Sequence, residues 1–148
     1  MSESRRKIAR IQPVIMVRKA KVDQESAMLS RIRLEKRAAV ADMKESQRIY
    51  MEGIERLNNE RTSMSREMLA PLESSLDFIK NRWYSLYRRV QDIEAREKAQ
   101  SVQLDMAQRE LMAVEKLSEN YTEEFKIEMR RGEQKNLDEI ALRRFSGR

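Results

Sequence analysis

The stretch LESSLDFIKNRWYSLYRRVQDIEAREKAQSVQLDMAQRELMAVEKLSENYTEEF, residues 72–125, decides the fold. Positions 72, 76, 79, 83, 86, 90, 93, 97, 100, 104, 107, 111, 114, 118, 121 and 125 alternate steps of four and three without a slip. Thirteen of these sixteen are apolar, and Glu97, Gln100 and Ser118 are the exceptions. A pattern held over more than seven heptads is a coiled-coil seam. At ~1.5 Å per residue, a helix over 72–142 would run roughly 105 Å, and alone it would leave its seam in water.

The cover comes from the first half. Ile8, Ile15, Val22, Leu29, Lys36, Met43, Tyr50, Leu57 and Met64 repeat every seven residues. Their companion position reads as drifting, from Ile11 and Ile32 on one flank to Val40, Ile54 and Met68 on the other, as a stutter would allow. Pro13 suits a first helical turn, so the first helix is expected over about 12–62. Asn58, Asn59, Thr62, Ser63, Ser65 and Pro71 place a bend within 58–71. The second helix is then expected over about 72–142, with 1–11 and 143–148 frayed. The fold class is all-α: a long two-helix antiparallel coiled-coil hairpin forming a single domain over 1–148.

Composition agrees. The chain is 38% charged and 5% aromatic, with three glycines and two prolines, so neither sheets nor a compact globule is expected. It has no cysteine or histidine, no phosphate-binding loop and no metalloprotease motif. We expect no enzymatic activity, no cofactor and no metal. The start, MSESRRKIAR, lacks an apolar core of a signal peptide, and no apolar run reaches ~18 residues, so a soluble intracellular protein is expected, unless it leaves by a route without a cleaved signal. Of the net charge of +6, the first third holds the surplus: residues 1–48 carry 13 basic and 6 acidic side chains.

Two features fall outside the seam. If the bend centres near 65–68, antiparallel partners sum to about 130–136, and residues beyond about 128 have little opposite them. There Glu128 and Gly132 break the register, yet Leu137, Ile140, Ala141 and Phe145 form a stripe. It reads as a surface for another protein; self-association or an exposed frayed end are the plainer alternatives. The second feature is DFIKNRWYSLYRRV (77–90), which holds the single tryptophan. Trp83 falls on the seam, whereas Tyr84, Tyr87 and Arg88 do not, beside Lys80, Arg82 and Arg89. Exposed aromatics with arginine suit a protein partner. Stacking on single-stranded nucleic acid is the competitor, but acidic residues along the helix interrupt any phosphate track.

GEQKNLDEIALRRF (132–145), at the end of a long charged heptad helix, resembles the C-terminal signature of the FliJ family of flagellar export proteins. NRW at 81–83 is similar to a stretch in some members, and length, plan and charge agree across the chain. The SctO/YscO stalk proteins of virulence type III secretion share this architecture. The resemblance implies a hairpin like the central stalk subunit of rotary ATPases. It also implies a cytoplasmic protein of flagellum biogenesis and motility, peripheral to the inner membrane through its partners alone. Those partners would be a hexameric export ATPase, which it regulates, the cytoplasmic domain of the export gate, and export chaperones, with no nucleic acid.

On this resemblance the ATPase-binding residues are Glu133, Gln134, Lys135, Asp138, Glu139 and Ala141, flanked by Leu137, Ile140 and Phe145. Arg89 stands where the family has an aromatic, so the gate contact is carried over as a region, with Tyr84, Tyr87, Arg88 and Ile93 as its residues. The alternative is a structural coiled coil or chaperone-binding protein of a virulence system, without ATPase coupling.

Overall fold

In the computed structural model, which describes residues 2–146, two helices account for the chain: α1, Glu3–Glu60, and α2, Arg66–Ser146. They pack against each other as an antiparallel hairpin, with no strand among the described residues. The reason is the seam. Every one of the sixteen positions from 72 to 125 is buried or half-buried, and between them Lys80 and Thr122 alone share that state.

α1 corrects the drifting stripe. Its companion position holds a steady heptad at Ser4, Ile11, Arg18, Glu25, Ile32, Ala39, Ser46, Gly53 and Glu60, all buried or half-buried. Polar and small residues occupy most of it, so hydrophobicity could not reveal it. Val40 and Ile54 flank this seam half-buried, which is what mimicked rotation.

The helix limits also differ from those expected. α1 begins at Glu3 rather than near residue 12, because Ser2 caps it: its Oγ accepts the Arg5 N–H at 3.2 Å. Pro13 lies inside the helix. It deprives the Ala9 carbonyl of a donor, but both residues are exposed and water can serve instead, while Ile11 and Ile15 hold the turn down at 7% and 9% exposure.

Pro71 likewise sits within α2, on its exposed side, and does not end the helix. The turn precedes it: the Ser63 and Met64 N–H groups donate to the Glu60 carbonyl, and the Met68 and Leu69 N–H groups to that of Ser65. Residues 3–11 and 143–146 are helical rather than frayed, with Arg143 and Arg144 complementing the helix dipole. Residues 147 and 148 lie outside the described residues.

The contacts form two units. In the first, 2–25 with 104–146, Ser4 Oγ donates to Glu128 Oε1 at 2.6 Å and Arg18 pairs with Glu110 at 2.7 Å. Lys7 lies over the Tyr121 ring, and Ile11, Ile15 and Ala107 are buried.

In the second, 26–103, Ile32, Ala39, Val90 and Ile93 form a buried cluster with Val40 and Met43 packed on it. Lys36 and Glu97 meet at 3.1 Å, and Glu35 meets Arg96 at 3.2 Å on the flank. Further along α1, Arg48 donates to Glu45 and Glu52, and its guanidinium holds the Glu45 carboxyl below the usual carboxylate range.

At Gly53 the side chain of Leu76 lies where a Cβ would stand. A Cβ there would overlap Leu76 Cδ2, and Leu76 is 5% exposed with little room to turn. At Gly132 a Cβ meets nothing within 4 Å. Gly132→Ala should therefore realise the ordinary helical gain of about 0.5–1 kcal/mol, whereas Gly53→Ala should lose it to the overlap. Circular dichroism melts would show Gly53→Ala at or below the wild type. Slower amide exchange around residue 132 would report the other gain.

Candidate functional site: a terminal helix stripe without an intramolecular partner

α1 starts at Glu3, and Ser4 already contacts Glu128. The last half-buried residue of α2 is Phe125, and every residue from Lys126 to Ser146 is exposed. These twenty-one helical residues carry no half-buried side chain, and past Glu128 the helix runs on beyond the start of α1. Their backbone bonds are satisfied within the helix, so what they offer a partner is side chains.

The sequence-expected residues share this segment. Leu137 is 61% exposed, Ile140 48% and Phe145 83%, with Ala141 between them. Steps of three and four bring the four to one side. Leu142, at 69%, was missed; it lies off the stripe, yet with Asp138, Ala141 and Phe145 it frames a shallow notch. Ile127 and Met129, also exposed, extend the apolar surface towards the hairpin, and their place just past the seam could have shown it.

Glu133, Gln134, Lys135, Asp138 and Glu139 surround the stripe, exposed. The Gln134 amide donates to Asp138 Oδ1 at 3.1 Å, an i,i+4 bond that supports the helix. Arg130 and Arg131 precede this acidic middle and Arg143 and Arg144 follow it. Two copies laid antiparallel about Leu137 would set arginine against arginine, which opposes self-association through this stripe.

The second expected cluster is split by the fold. Trp83 stacks inward, its ring centroid 5.6 Å from Tyr50 and 5.4 Å from Tyr84. Tyr84 and Tyr87 are exposed at 46% and 47%, with Lys80 over the Tyr84 ring and Arg88 Nε donating to the Tyr84 carbonyl. Ile93 does not join them. At 2% exposure it belongs to the buried cluster, because it is a seam residue, and it offers no surface to a gate partner. Phe78 was missed: 70% exposed, it stands two residues past seam Leu76, beside Ile49 and Arg82.

No group of three or more acidic side chains among the described residues could hold a metal. No helix among them is long and apolar enough to cross a membrane.

The molecule is thus of the class of two-helix hairpins whose second helix overruns the first, here bearing an exposed apolar stripe ringed by charge. The family of flagellar FliJ proteins matches residues 6–148, nearly the whole chain. The chain belongs to the FliJ family of flagellar proteins, and this membership supports a flagellar export-related role. No curated protein and no solved structure matches it.

Proposed function

We propose that this protein is a coupling stalk of the flagellar export apparatus. Its segment 127–146 inserts into a hexameric export ATPase, and its exposed aromatic surface contacts the cytoplasmic domain of the export gate. The observation that carries the first contact is the run of exposed helix beyond Phe125 with its apolar stripe. A rod with a purely structural role would continue its seam to the end. Glu133, Lys135, Asp138 and Glu139 then set orientation in the ring, while Leu137, Ile140, Ala141 and Phe145 supply the buried contact.

For the gate, Tyr84, Tyr87 and Arg88 remain the contacting residues. They combine apolar area with low side-chain entropy and a charged fork. Ile93 supports them from the core. Cytoplasmic location beside the inner membrane and binding of export chaperones follow from the same reading.

Hydrolysis by the same bacterium's export ATPase, titrated with this protein, tests the reading. The wild type should stimulate ring assembly and hydrolysis, and Leu137→Asp/Ile140→Asp should stay folded and inert. Surface changes of this kind cost within about 0.5 kcal/mol of stability, so loss of stimulation would not come from unfolding. Equal stimulation by both proteins would remove the stripe from the ATPase contact. No stimulation by either would favour a scaffold or chaperone-binding role without ATPase coupling.

A further inference from the structure

α1 carries a second surface that the terminal stripe and the aromatic cluster leave unused. Arg33, Lys36, Arg37 and Lys44 line a shallow groove with Val40 and Ala41 in it and Glu97 at its edge. All seven residues belong to the unit 26–103. Glu97 accepts Lys36 at 3.1 Å and lies 3.8 Å from Arg33, so one carboxylate serves two cations. Arg37 and Lys44 are exposed and have no carboxylate partner among the described residues. Nearby cations are treated differently: Arg48 is clamped by two glutamates and Arg96 by Glu35. The groove therefore holds a local excess of positive charge over about three helical turns, ~16 Å from 33 to 44.

Three kinds of polyanion could answer that charge. A nucleic-acid strand would want aromatic platforms and an unbroken basic track, and this groove has no aromatic lining and a glutamate at its edge. An anionic membrane would want a broad apolar face with aromatic anchors, and the apolar lining of this groove is Val40 and Ala41. Small apolar Val40 and Ala41 between the cations leave room for another helix to lie close. Steps of four and seven from Arg33 to Arg37 to Lys44 match one side of such a helix. We propose that this groove docks an acidic amphipathic helix of a partner protein, with carboxylates at the same spacing and alanine or leucine between them.

The probe is a capped synthetic helix with glutamates at i, i+4 and i+11 and alanine and leucine on the intervening face. Its binding to the full-length protein is followed by fluorescence anisotropy at low salt. Saturable binding is expected, weakened about tenfold or more by Arg37→Glu/Lys44→Glu, since each reversal removes an attraction and adds a repulsion. Arg61→Glu/Arg66→Glu, an equal charge change on exposed residues of the turn region, should alter it less than about twofold. Melting curves check folding, and Arg37→Ala/Lys44→Ala replaces the reversal if that variant is unstable.

The proposal is overturned if the peptide does not bind. It is equally overturned if both double variants weaken binding alike, which would mean net charge alone. Tighter binding of a single-stranded RNA or of phosphatidylserine vesicles through Arg37 and Lys44 would assign the groove to those ligands instead. Neither result depends on the ATPase contact.

Discussion

Ile93→Asp is expected to abolish the cooperative melt of the hairpin near room temperature. Ile93 is the least exposed residue of the buried cluster, at 2%, and packs with Ile32, Ala39 and Val90. Truncating such a side chain to alanine costs about 2–5 kcal/mol. Aspartate adds a carboxylate that the cluster cannot solvate or pair. A domain's whole stability is about 5–15 kcal/mol, and a seam this rich in polar residues belongs at the lower end. Circular dichroism at 222 nm against temperature, with Ile93→Ala as the milder member, measures the effect. A melt unchanged by Ile93→Asp would mean that the two helices do not pack through this residue.

The second large effect concerns Lys36 and Glu97, one facing the other across the seam at 3.1 Å with side chains 31% and 22% exposed. Replacing a buried ion pair by apolar residues often stabilises by about 1–4 kcal/mol, and the partial exposure here points to the lower half. Lys36→Leu/Glu97→Leu should therefore melt higher, by about 2–4 °C per kcal/mol. Glu97→Leu alone should gain less, because Lys36 and Arg33 lose their shared carboxylate.

The same substitution should loosen register. Polar pairs in a seam specify one alignment, and an all-apolar stretch tolerates others, including pairing between chains. Sedimentation of the double variant should then show more dimer than the wild type. A lower melting temperature would show that the pair contributes stability beyond its desolvation cost.

These two sites also show what the sequence could and could not reveal. α2 was legible because its seam is apolar at thirteen of sixteen positions, so periodicity alone located Ile93 in the core. α1 was half legible. Its a-type series from Ile8 to Leu57 stood out, but Ser4, Arg18, Glu25, Ser46 and Gly53 hide the companion series, and register there comes from α2 rather than from hydrophobicity.

The prolines misled for a related reason. Local propensity starts a helix at Pro13 and breaks one at Pro71, whereas flanking seam residues hold the backbone helical through both, on exposed faces where water can serve the freed carbonyls. The terminal stripe was legible by subtraction, since residues beyond the start of α1 cannot be covered by it. Phe78 and Leu142 were not, because each lies off any periodic stripe and exposure is a property of the packed pair.

Amide hydrogen exchange of the full-length chain, alone and bound to the hexameric export ATPase, tests the central claim most directly. A helix end that buries no side chain opens locally at low cost, so 127–146 should exchange faster than the packed part of α2 in the free protein. On binding, protection should rise there, most around Leu137–Phe145, and change little at the Ile32–Ile93 cluster. ATPase binding that leaves 127–146 as fast as before, with protection gained elsewhere, would contradict it.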